Sequence, residues 1–240
     1  VRDHLRFNAA VHRIEQDESV VNVHWGSSVT TARYAVVAIP PQLIPQIVHA
    51  PPLPPSHTAL FQAAQMGQVI KAIVIYDRPF WRAAGLAGIA ITDEEPLDSV
   101  FDTAPADGSI GVLCGFITGE RAQRWAQRSS DDRRAAVLRQ LVDFFGPQAA
   151  VPSEYIEKDW MAERWSGGGY TMLLPKGVLA QHGQALRVPC GRIHWAGTET
   201  SANWYGSMEG ALSSGERVAM EILSRIKAAD AGGDRNPASL

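Results

Sequence analysis

The length and charge of the chain set the first limits on its function. Its 240 residues, 45% of them hydrophobic, are enough to bury a core in one large domain or two smaller ones. Its 22 basic and 25 acidic residues include no basic tract that would track phosphates. We therefore expect a small-molecule partner and no nucleic acid.

The cysteines and the apolar runs indicate a cytoplasmic protein. Cys114 and Cys190 lie far apart without the spacing of a zinc site or a disulfide framework, which favours a reducing compartment. No run reaches the roughly 18 apolar residues of a membrane span. Because the chain starts at Val1 and not at methionine, we expect a processing site, an expression boundary or the start of a fragment.

The first third predicts a hairpin followed by a helix. Residues 20–39 (VVNVHWGSSVTTARYAVVAI) form two β-rich arms around a Gly-Ser-Ser turn. The prolines between positions 40 and 55 predict a connector, since proline cannot donate to a ladder. A helix is predicted over residues 56–64.

The middle of the chain alternates strand and helix patterns. Residues 68–81 predict a strand with two apolar faces, as in a strand covered on both sides. Short β-rich pieces follow near 86–92, 98–102 and 109–117, and a helix is predicted over 134–146. This order predicts an α/β fold of the mixed α+β kind.

The last third contains three consecutive glycines at 167–169, which predict a close backbone approach or a turn with positive φ. A final helix is predicted to pack by one apolar stripe. The stripe consists of Met208, Ala211, Leu212, Gly215, Val218, Ala219, Ile222 and Leu223. The small, polar residues 229–240 are predicted to form a disordered tail.

Two features are candidates for chemistry. Lys71 interrupts an apolar strand, where a buried ammonium is costly unless it is paired; the alternative is a lysine that extends from a sheet edge to water. The start of the final helix, near residues 203–207, has N–H groups that suit an anion or a carbonyl; the alternative is an ordinary N-cap.

The remaining polar and aromatic residues are less specific. Five aromatic residues either wall a cavity for a planar or cationic ligand or belong to the core. They are Trp160, Trp165, Tyr170, Trp204 and Tyr205. The seven histidines have no metal-ligand spacing, and no GxSxG motif indicates a nucleophile-elbow hydrolase.

Four segments in order carry a resemblance to a known family. They are VAIPP (37–41), MGQVIKAIVIYDRPFW (66–81), ERWSGGGYTMLLPKG (163–177) and AGTETSANWYGSMEGALSSGERVAMEIL (196–223). Together they resemble the flavin-dependent monoamine oxidases, or flavin-containing amine oxidoreductases, over about residues 5–226. The resemblance implies part of a two-domain FAD-dependent amine oxidase fold, with an FAD-binding portion and a substrate domain.

The resemblance also implies roles for individual residues. Lys71 matches the lysine that holds a water at the flavin, and Tyr170 matches one wall of the cage that guides the amine; these two are the catalytic candidates. The implied cofactor-binding residues are Val11, Trp160, Gly197, Thr198, Glu199, Trp204 and Met208. In this resemblance, the helix dipole stabilises negative charge on the reduced flavin.

Two positions depart from the family pattern. Gly169 stands where some members carry a cysteine bonded to the flavin, so we expect non-covalent FAD. Ser207 stands at the second cage tyrosine, with Tyr205 nearby, which implies a wider or more polar substrate cage.

No GxGxxG motif occurs, so the dinucleotide-binding unit of the family is missing and the chain resembles its second half. An N-terminal FAD-binding segment or a partner chain is expected to supply the rest, and a homodimer is a further open expectation. Residues 1–60 and 163–228 are predicted to contribute to the FAD-binding domain, and 61–162 to form the substrate domain.

The implied reaction is oxidative deamination of a primary or secondary amine to an imine and then an aldehyde, with dioxygen reduced to hydrogen peroxide. One alternative is a related oxidase of polyamines or L-amino acids, which for amino acids needs an arginine clamp such as Arg78, Arg82 or Arg164. The other is a non-catalytic subunit or fragment that needs a partner for the dinucleotide-binding half.

Overall fold

The computed structural model describes residues 2–233. Its strands are β1 (Val11–Gln16), β2 (Val21–Trp25), β3 (Ser28–Ala32), β4 (Ala35–Val37), β5 (Val48–Ala50), β6 (Gln65–Met66), β7 (Val69–Tyr76), β8 (Ala90–Ile91), β9 (Ser99–Asp102), β10 (Gly111–Thr118), β11 (Glu154–Asp159), β12 (Met172–Leu173) and β13 (Ile193–Trp195). Its α-helices are α1 (Pro55–Ala63), α2 (Phe80–Ala83), α3 (Gly119–Ala126), α4 (Ser130–Phe145), α5 (Val178–His182) and α6 (Met208–Gly233). The predicted mixed α/β class is confirmed.

The described residues form two compact units. The first contains the residues up to Gln65 and from Thr171 onward, and the second is Met66–Tyr170. The predicted boundaries, after residues 60 and 162, fall a few residues earlier in the chain. The assignment of the units to flavin and substrate stays a prediction.

The first unit contains a four-stranded sheet in the order β3, β2, β1, β5. Strands β2 and β3 form the predicted hairpin, with Gly26 at φ +54° in the turn. The predicted second arm is wrong beyond residue 32, because β4 leaves the hairpin and pairs in parallel with β13. Long-range pairing of this kind leaves no local signal in the sequence.

The core of the first unit forms where α1 meets β13. Leu60 and Phe61 of α1 are buried together with Ile193 and Trp195 of β13. Pro55 opens α1 at the first helical position, where the missing N–H costs nothing. Helix α1 lies within one residue of its predicted bounds.

The second unit is built on a five-stranded antiparallel sheet in the order β11, β7, β10, β9, β8. One face of β7 packs its buried Ile70, Ala72 and Val74 into a core that includes Val137 and Leu141 of α4. The other face of β7 is half-buried within this unit. Within this unit the predicted cover is complete on the first face and partial on the second, where Val69 is buried.

Helix α4 begins four residues before its predicted start. Ser129 caps it, since its Oγ accepts a hydrogen bond from the Asp132 N–H at 3.1 Å. Gly146, at φ +93°, follows its last residue as predicted. The predicted strand near 86–92 is shorter than expected and is limited to β8.

Helix α6 packs by a different face from the predicted stripe. Its buried residues are Gly210, Ser214 and Val218, which are spaced by four. Much of the predicted stripe is exposed, with 85% exposure at Met208, 66% at Leu212 and 54% at Leu223. Of that stripe, only Val218 is fully buried.

Close backbone contact explains why small residues take the buried side of α6. A Cβ on Gly210 would lie 2.2 Å from the Trp204 carbonyl oxygen and 2.8 Å from Thr198 Oγ1. A larger residue would push the helix away from this turn.

Helix α6 continues to Gly233 and so includes residues 229–233 of the tail that the sequence predicts to be disordered. Alanine-rich sequence such as AADA favours helix over coil. The rest of that predicted tail, 234–240, lies outside the described residues. No helix among the described residues is long and apolar enough to cross a membrane.

Candidate functional site

The predicted site residues are distributed over both units. Lys71, Trp160 and Tyr170 belong to the second unit. The first unit contains Val11, Gly197, Thr198, Glu199, Trp204, Tyr205, Ser207 and Met208.

Lys71 lies on the half-buried face of β7 and not in the core. Phe116 of β10 is its direct cross-strand partner, and the Lys71 ammonium lies 5.7 Å from the centroid of the Phe116 ring. An ammonium at this distance is attracted to the negative face of the ring. Lys71 is therefore half-buried and in contact with an aromatic ring, and the alternative of a lysine at a sheet edge is wrong, because β7 lies between β11 and β10.

Tyr170 meets Phe116 from another side. The two ring centroids are 5.9 Å apart at an interplanar angle of 74°, an edge-to-face contact. Burial raises the pKa of the Tyr170 phenol, so it is neutral at physiological pH. The structure thus brings Lys71 and Tyr170 onto one ring, Phe116, which the sequence did not single out.

The glycine triplet positions Tyr170 as the sequence predicted, by positive φ and by close approach. Gly167 and Gly168 have φ of +64° and +144°. A Cβ on Gly168 would lie 2.2 Å from the Gly67 carbonyl oxygen, which accepts the Gly169 N–H at 2.8 Å. Only glycine allows the backbone this close.

The aromatic residues are not core, so that alternative is wrong. Exposure is 57% at Trp165, 59% at Tyr170, 70% at Trp204 and 45% at Tyr205. Trp160 is half-buried. Its backbone N–H donates to the Val69 carbonyl at 3.1 Å, which extends the ladder between β11 and β7.

The Gly197 turn of the first unit is held by hydrogen bonds from several directions. Gly197, at φ +119°, donates its N–H to Ser214 Oγ at 2.9 Å. The Gly197 carbonyl accepts from the N–H and the hydroxyl of Thr200 at 3.0 and 2.9 Å. Helix α6 therefore fixes this turn through a side chain, Ser214, that the sequence did not indicate.

Two arginines also support the turn and were missed. Arg217 of α6 donates to the Trp195 carbonyl at 2.7 Å and to Thr200 Oγ1 at 3.0 Å. Arg187 donates to the carbonyls of Thr200 and Ser201 at 2.8 and 3.0 Å. The signal for Arg217 was its place on the same helix face as Ser214, three residues further on.

Glu199 is a buried acid at the centre of this turn. It is 7% exposed, and burial raises the pKa of its carboxyl group. Among the described residues, the carboxyl accepts only from its own backbone N–H. A buried carboxyl with spare hydrogen-bonding capacity suits a hydroxyl-bearing ligand beside the turn.

The start of α6 lies a few residues after its predicted position, because residues 203–207 form a turn. Trp204 has φ +59°, and its carbonyl accepts the Ser207 N–H at 3.1 Å. Ser207 Oγ caps the helix by accepting the Gly210 N–H at 3.1 Å. The N-cap alternative is therefore confirmed. In the described chain the N–H groups of Met208 and Glu209 have no acceptor, and an anion or carbonyl at this helix start stays a prediction.

The two residues near the second cage position are engaged within the first unit. Tyr205 donates its hydroxyl to the Met172 carbonyl at 2.6 Å. Ser207 Oγ, besides capping α6, donates to the Trp204 carbonyl at 2.6 Å. Val11, the predicted adenine contact, begins β1 opposite Trp25.

Known proteins are similar to this chain over most of its length. A family model described as flavin containing amine oxidoreductase matches residues 1–223. The chain is 42% identical to a probable flavin-containing monoamine oxidase A of Dictyostelium discoideum, over 93% of this chain and 49% of that protein. It is 40% identical to an L-amino acid dehydrogenase of Synechocystis sp., over 90% of this chain and 46% of that protein.

Solved structures are similar over the same extent. Cyclohexylamine oxidase from Brevibacterium oxydans has a TM-score of 0.91 at 38% identity, over 95% of this chain and 50% of that one. A putrescine oxidase bound to putrescine has a TM-score of 0.86 at 32% identity, over 90% and 49%. The chain therefore spans about half the length of the proteins it matches.

Proposed function

Because the chain belongs to the family of flavin-containing amine oxidoreductases, we propose that it forms the second half of a flavin-dependent amine oxidase. The reaction is oxidative deamination of a primary or secondary amine to an imine, which hydrolyses to an aldehyde, with dioxygen reduced to hydrogen peroxide. The observation that carries the proposal is the Lys71 ammonium on the Phe116 ring, with Tyr170 packed against the same ring.

The first unit fits non-covalent FAD in two respects. The buried Glu199 carboxyl has capacity for the hydroxyls of a ribityl chain. The free N–H groups of Met208 and Glu209 stand at the positive end of a long helix, which favours negative charge nearby. In the second unit, Gly169 offers no thiol for a covalent bond.

Bound FAD would supply the redox chemistry, taking a hydride equivalent from the amine and passing electrons to dioxygen. The residues of this chain would orient the amine and polarise the flavin. Lys71 Nζ would hold a water molecule at the flavin by a hydrogen bond. Tyr170 would form an aromatic wall for a neutral amine, and the start of α6 would stabilise negative charge.

Exposed surfaces of the first unit support a further FAD-binding segment, on the same chain or on a partner. Parallel strands are normally part of larger sheets covered on both faces, whereas β4 and β13 form a parallel pair of their own among the described residues. The exposed Met208, Leu212 and Leu223 of α6 provide an apolar surface. We propose that a dinucleotide-binding segment adds strands and covers this helix.

The cytoplasm is the proposed location, and the free thiols of Cys114 and Cys190 support it.

Oxidation of an L-amino acid is a second candidate. The Synechocystis relative is named for that substrate class. Arg82 is committed to Asp102, to which its Nε donates at 2.7 Å, but the Arg164 guanidinium lies 4.6 Å from the Trp165 ring centroid and is open to a carboxylate. A preference for an α-amino acid over its decarboxylated amine would favour this candidate and contradict the simple-amine proposal.

Lys71→Met tests the role of the lysine in the flavin-loaded protein. We expect reoxidation of the reduced flavin by oxygen to slow by about tenfold or more, the loss of at least about 1.4 kcal/mol of transition-state stabilisation. Stopped-flow absorbance measures this rate, and Lys227→Met on the exposed side of α6 is the matched control. Equal rates in both variants and the parent would remove Lys71 from the mechanism.

A further inference from the structure

Asp98 ends the loop that leads into β9, and hydrogen bonds fix its carboxylate at the end of β10. Its backbone N–H donates to the Phe116 carbonyl at 2.9 Å. Its Oδ2 accepts from the N–H and the hydroxyl of Thr118, each at 2.7 Å, and its Oδ1 accepts from the Ser99 hydroxyl at 2.9 Å. The partly buried carboxylate therefore has a defined place and orientation in the second unit.

The loop before Asp98 is held by two helices. Arg121 of α3 donates to the Glu94 carbonyl at 2.9 Å. Gln140 of α4 is buried, and its side chain accepts the Leu97 N–H at 2.7 Å and donates to the Leu97 carbonyl at 3.1 Å. Because the carboxylate is already ordered by this frame, a ligand that binds it does not have to order the loop.

Asp98 has no cationic partner among the described residues, which distinguishes it from Glu95 of the same loop. Glu95 forms an ion pair with Arg124 and accepts from Trp125 Nε1 at 2.9 Å. The donors to Asp98 are all neutral, and its Oδ1 accepts from a single hydroxyl, so it can accept a further, charge-assisted hydrogen bond. A fixed carboxylate without a counter-ion favours a cation beside it.

The charge of Asp98 acts on the aromatic wall at Tyr170. Residues 67–68 connect the two places: the first accepts the Gly169 N–H at 2.8 Å through its carbonyl, and the second accepts the N–H of Gly119, which follows β10, at 2.9 Å. Burial is the main cause that raises the pKa of the Tyr170 phenol, and the charge of Asp98 also contributes. A ligand that packs on the Tyr170 ring would therefore lie in the field of Asp98.

The nitrogen that reacts at the flavin is neutral in the proposed reaction, whereas a fixed carboxylate favours a protonated nitrogen. Asp98 therefore suits a second nitrogen of the substrate, one that does not react. We propose that Asp98 binds this distal ammonium and gives α,ω-diamines an advantage over monoamines of equal length. The inference rests on the proposed amine oxidation and names the substrate class within it. The same charge would disfavour the carboxylate of an amino acid.

The amines 1,5-diaminopentane and n-hexylamine test this role, because a methyl group replaces the second amino group in the latter. Asp98→Asn removes the charge and keeps an oxygen that can accept the Thr118 N–H. In the complete, flavin-loaded protein we expect it to lower kcat/KM for the diamine by about fivefold or more and to leave that for n-hexylamine within about twofold. Asp93→Asn, an exposed acid of the same loop, is the matched control and should leave the ratio of the two unchanged.

A second variant and a second measurement separate charge recognition from folding and from turnover. Asp98→Glu keeps the charge but places it one methylene further out, so the preferred diamine should become shorter, toward 1,4-diaminobutane. Calorimetry of the same amines with the reduced, flavin-loaded protein under nitrogen measures binding without oxidation, and thermal melts verify folding.

Loss of diamine binding and of diamine turnover in Asp98→Asn alone, or a shorter preferred diamine in Asp98→Glu, supports the inference. Equal losses for diamine and monoamine, or equal losses in Asp98→Asn and Asp93→Asn, overturn it and leave the proposed amine oxidation standing. If the parent oxidises neither amine, the proposed oxidation fails instead. Diamine binding weakened by Asp98→Asn then still supports the ammonium site, and unchanged binding overturns it.

Discussion

Replacing Gly210 by alanine tests whether α6 is held at backbone contact distance from the turn that precedes it. The new Cβ would lie 2.2 Å from the Trp204 carbonyl oxygen and 2.8 Å from Thr198 Oγ1, so the helix or the turn must move. Overpacking of this kind costs about 1–3 kcal/mol, against a gain of about 1 kcal/mol from helix propensity. Gly215, on the same helix, has no atom of the described residues within 4 Å of its Cβ position, so its alanine variant meets no clash within this part of the protein and gains the helix propensity.

The two variants should therefore differ by about 1–3 kcal/mol in the free energy of unfolding, with Gly210→Ala the less stable. At about 2–4 °C per kcal/mol for a chain of this size, that is a difference of several degrees in Tm. Calorimetry of the flavin-loaded protein measures it, and flavin titration should show weaker binding only in Gly210→Ala. Equal stabilisation by both substitutions would refute the contact between helix and turn.

Two further predictions concern pH. Burial raises the pKa of Glu199, so above the ordinary value of 4.5 the unfolded state ionises first and stability falls; Glu199→Gln should gain stability relative to the parent between about pH 4 and about pH 7. Burial also acts to raise the pKa of Glu221, but hydrogen bonds from His194 and Arg217 outweigh it and lower the pKa overall. Its contribution to stability is present above pH 4.5 and is lost as the pH falls through its lowered pKa, so by urea unfolding Glu221→Gln should be less stable at about pH 7 and approach the parent on acidification.

Local signals in the sequence predicted elements well where one or two residues decide the backbone. Gly26 marks the hairpin turn, and Gly146 ends α4 at the predicted residue. Helix α4 begins four residues before its apolar pattern does, because the Ser129 cap determines its first turn. The parallel pairing of β4 with β13 joins residues far apart in the chain, and no local pattern predicts it.

The candidate site was found through resemblance, and its supporting residues were not. Phe116 reaches Lys71 only through the register of β7 and β10, which two nearly continuous apolar strands without alternation do not specify. Ser214 and Arg217 act on the Gly197 turn across a long loop. The place of Arg217 on the same helix face as Ser214 is a local signal, but the contact of both side chains with the turn depends on tertiary packing.

The exposed stripe of α6 shows what an apolar pattern does predict. Met208, Leu212 and Leu223 have the spacing of a buried face and are largely exposed in the described chain. An apolar pattern reflects burial in the complete protein. The stripe that is predicted to be buried but is exposed here is therefore the surface that we propose another segment covers. Burying three such side chains contributes roughly 1.5–3 kcal/mol each, or on the order of 5 kcal/mol together. A contribution of that size would couple the folding of this half to the arrival of the dinucleotide-binding half.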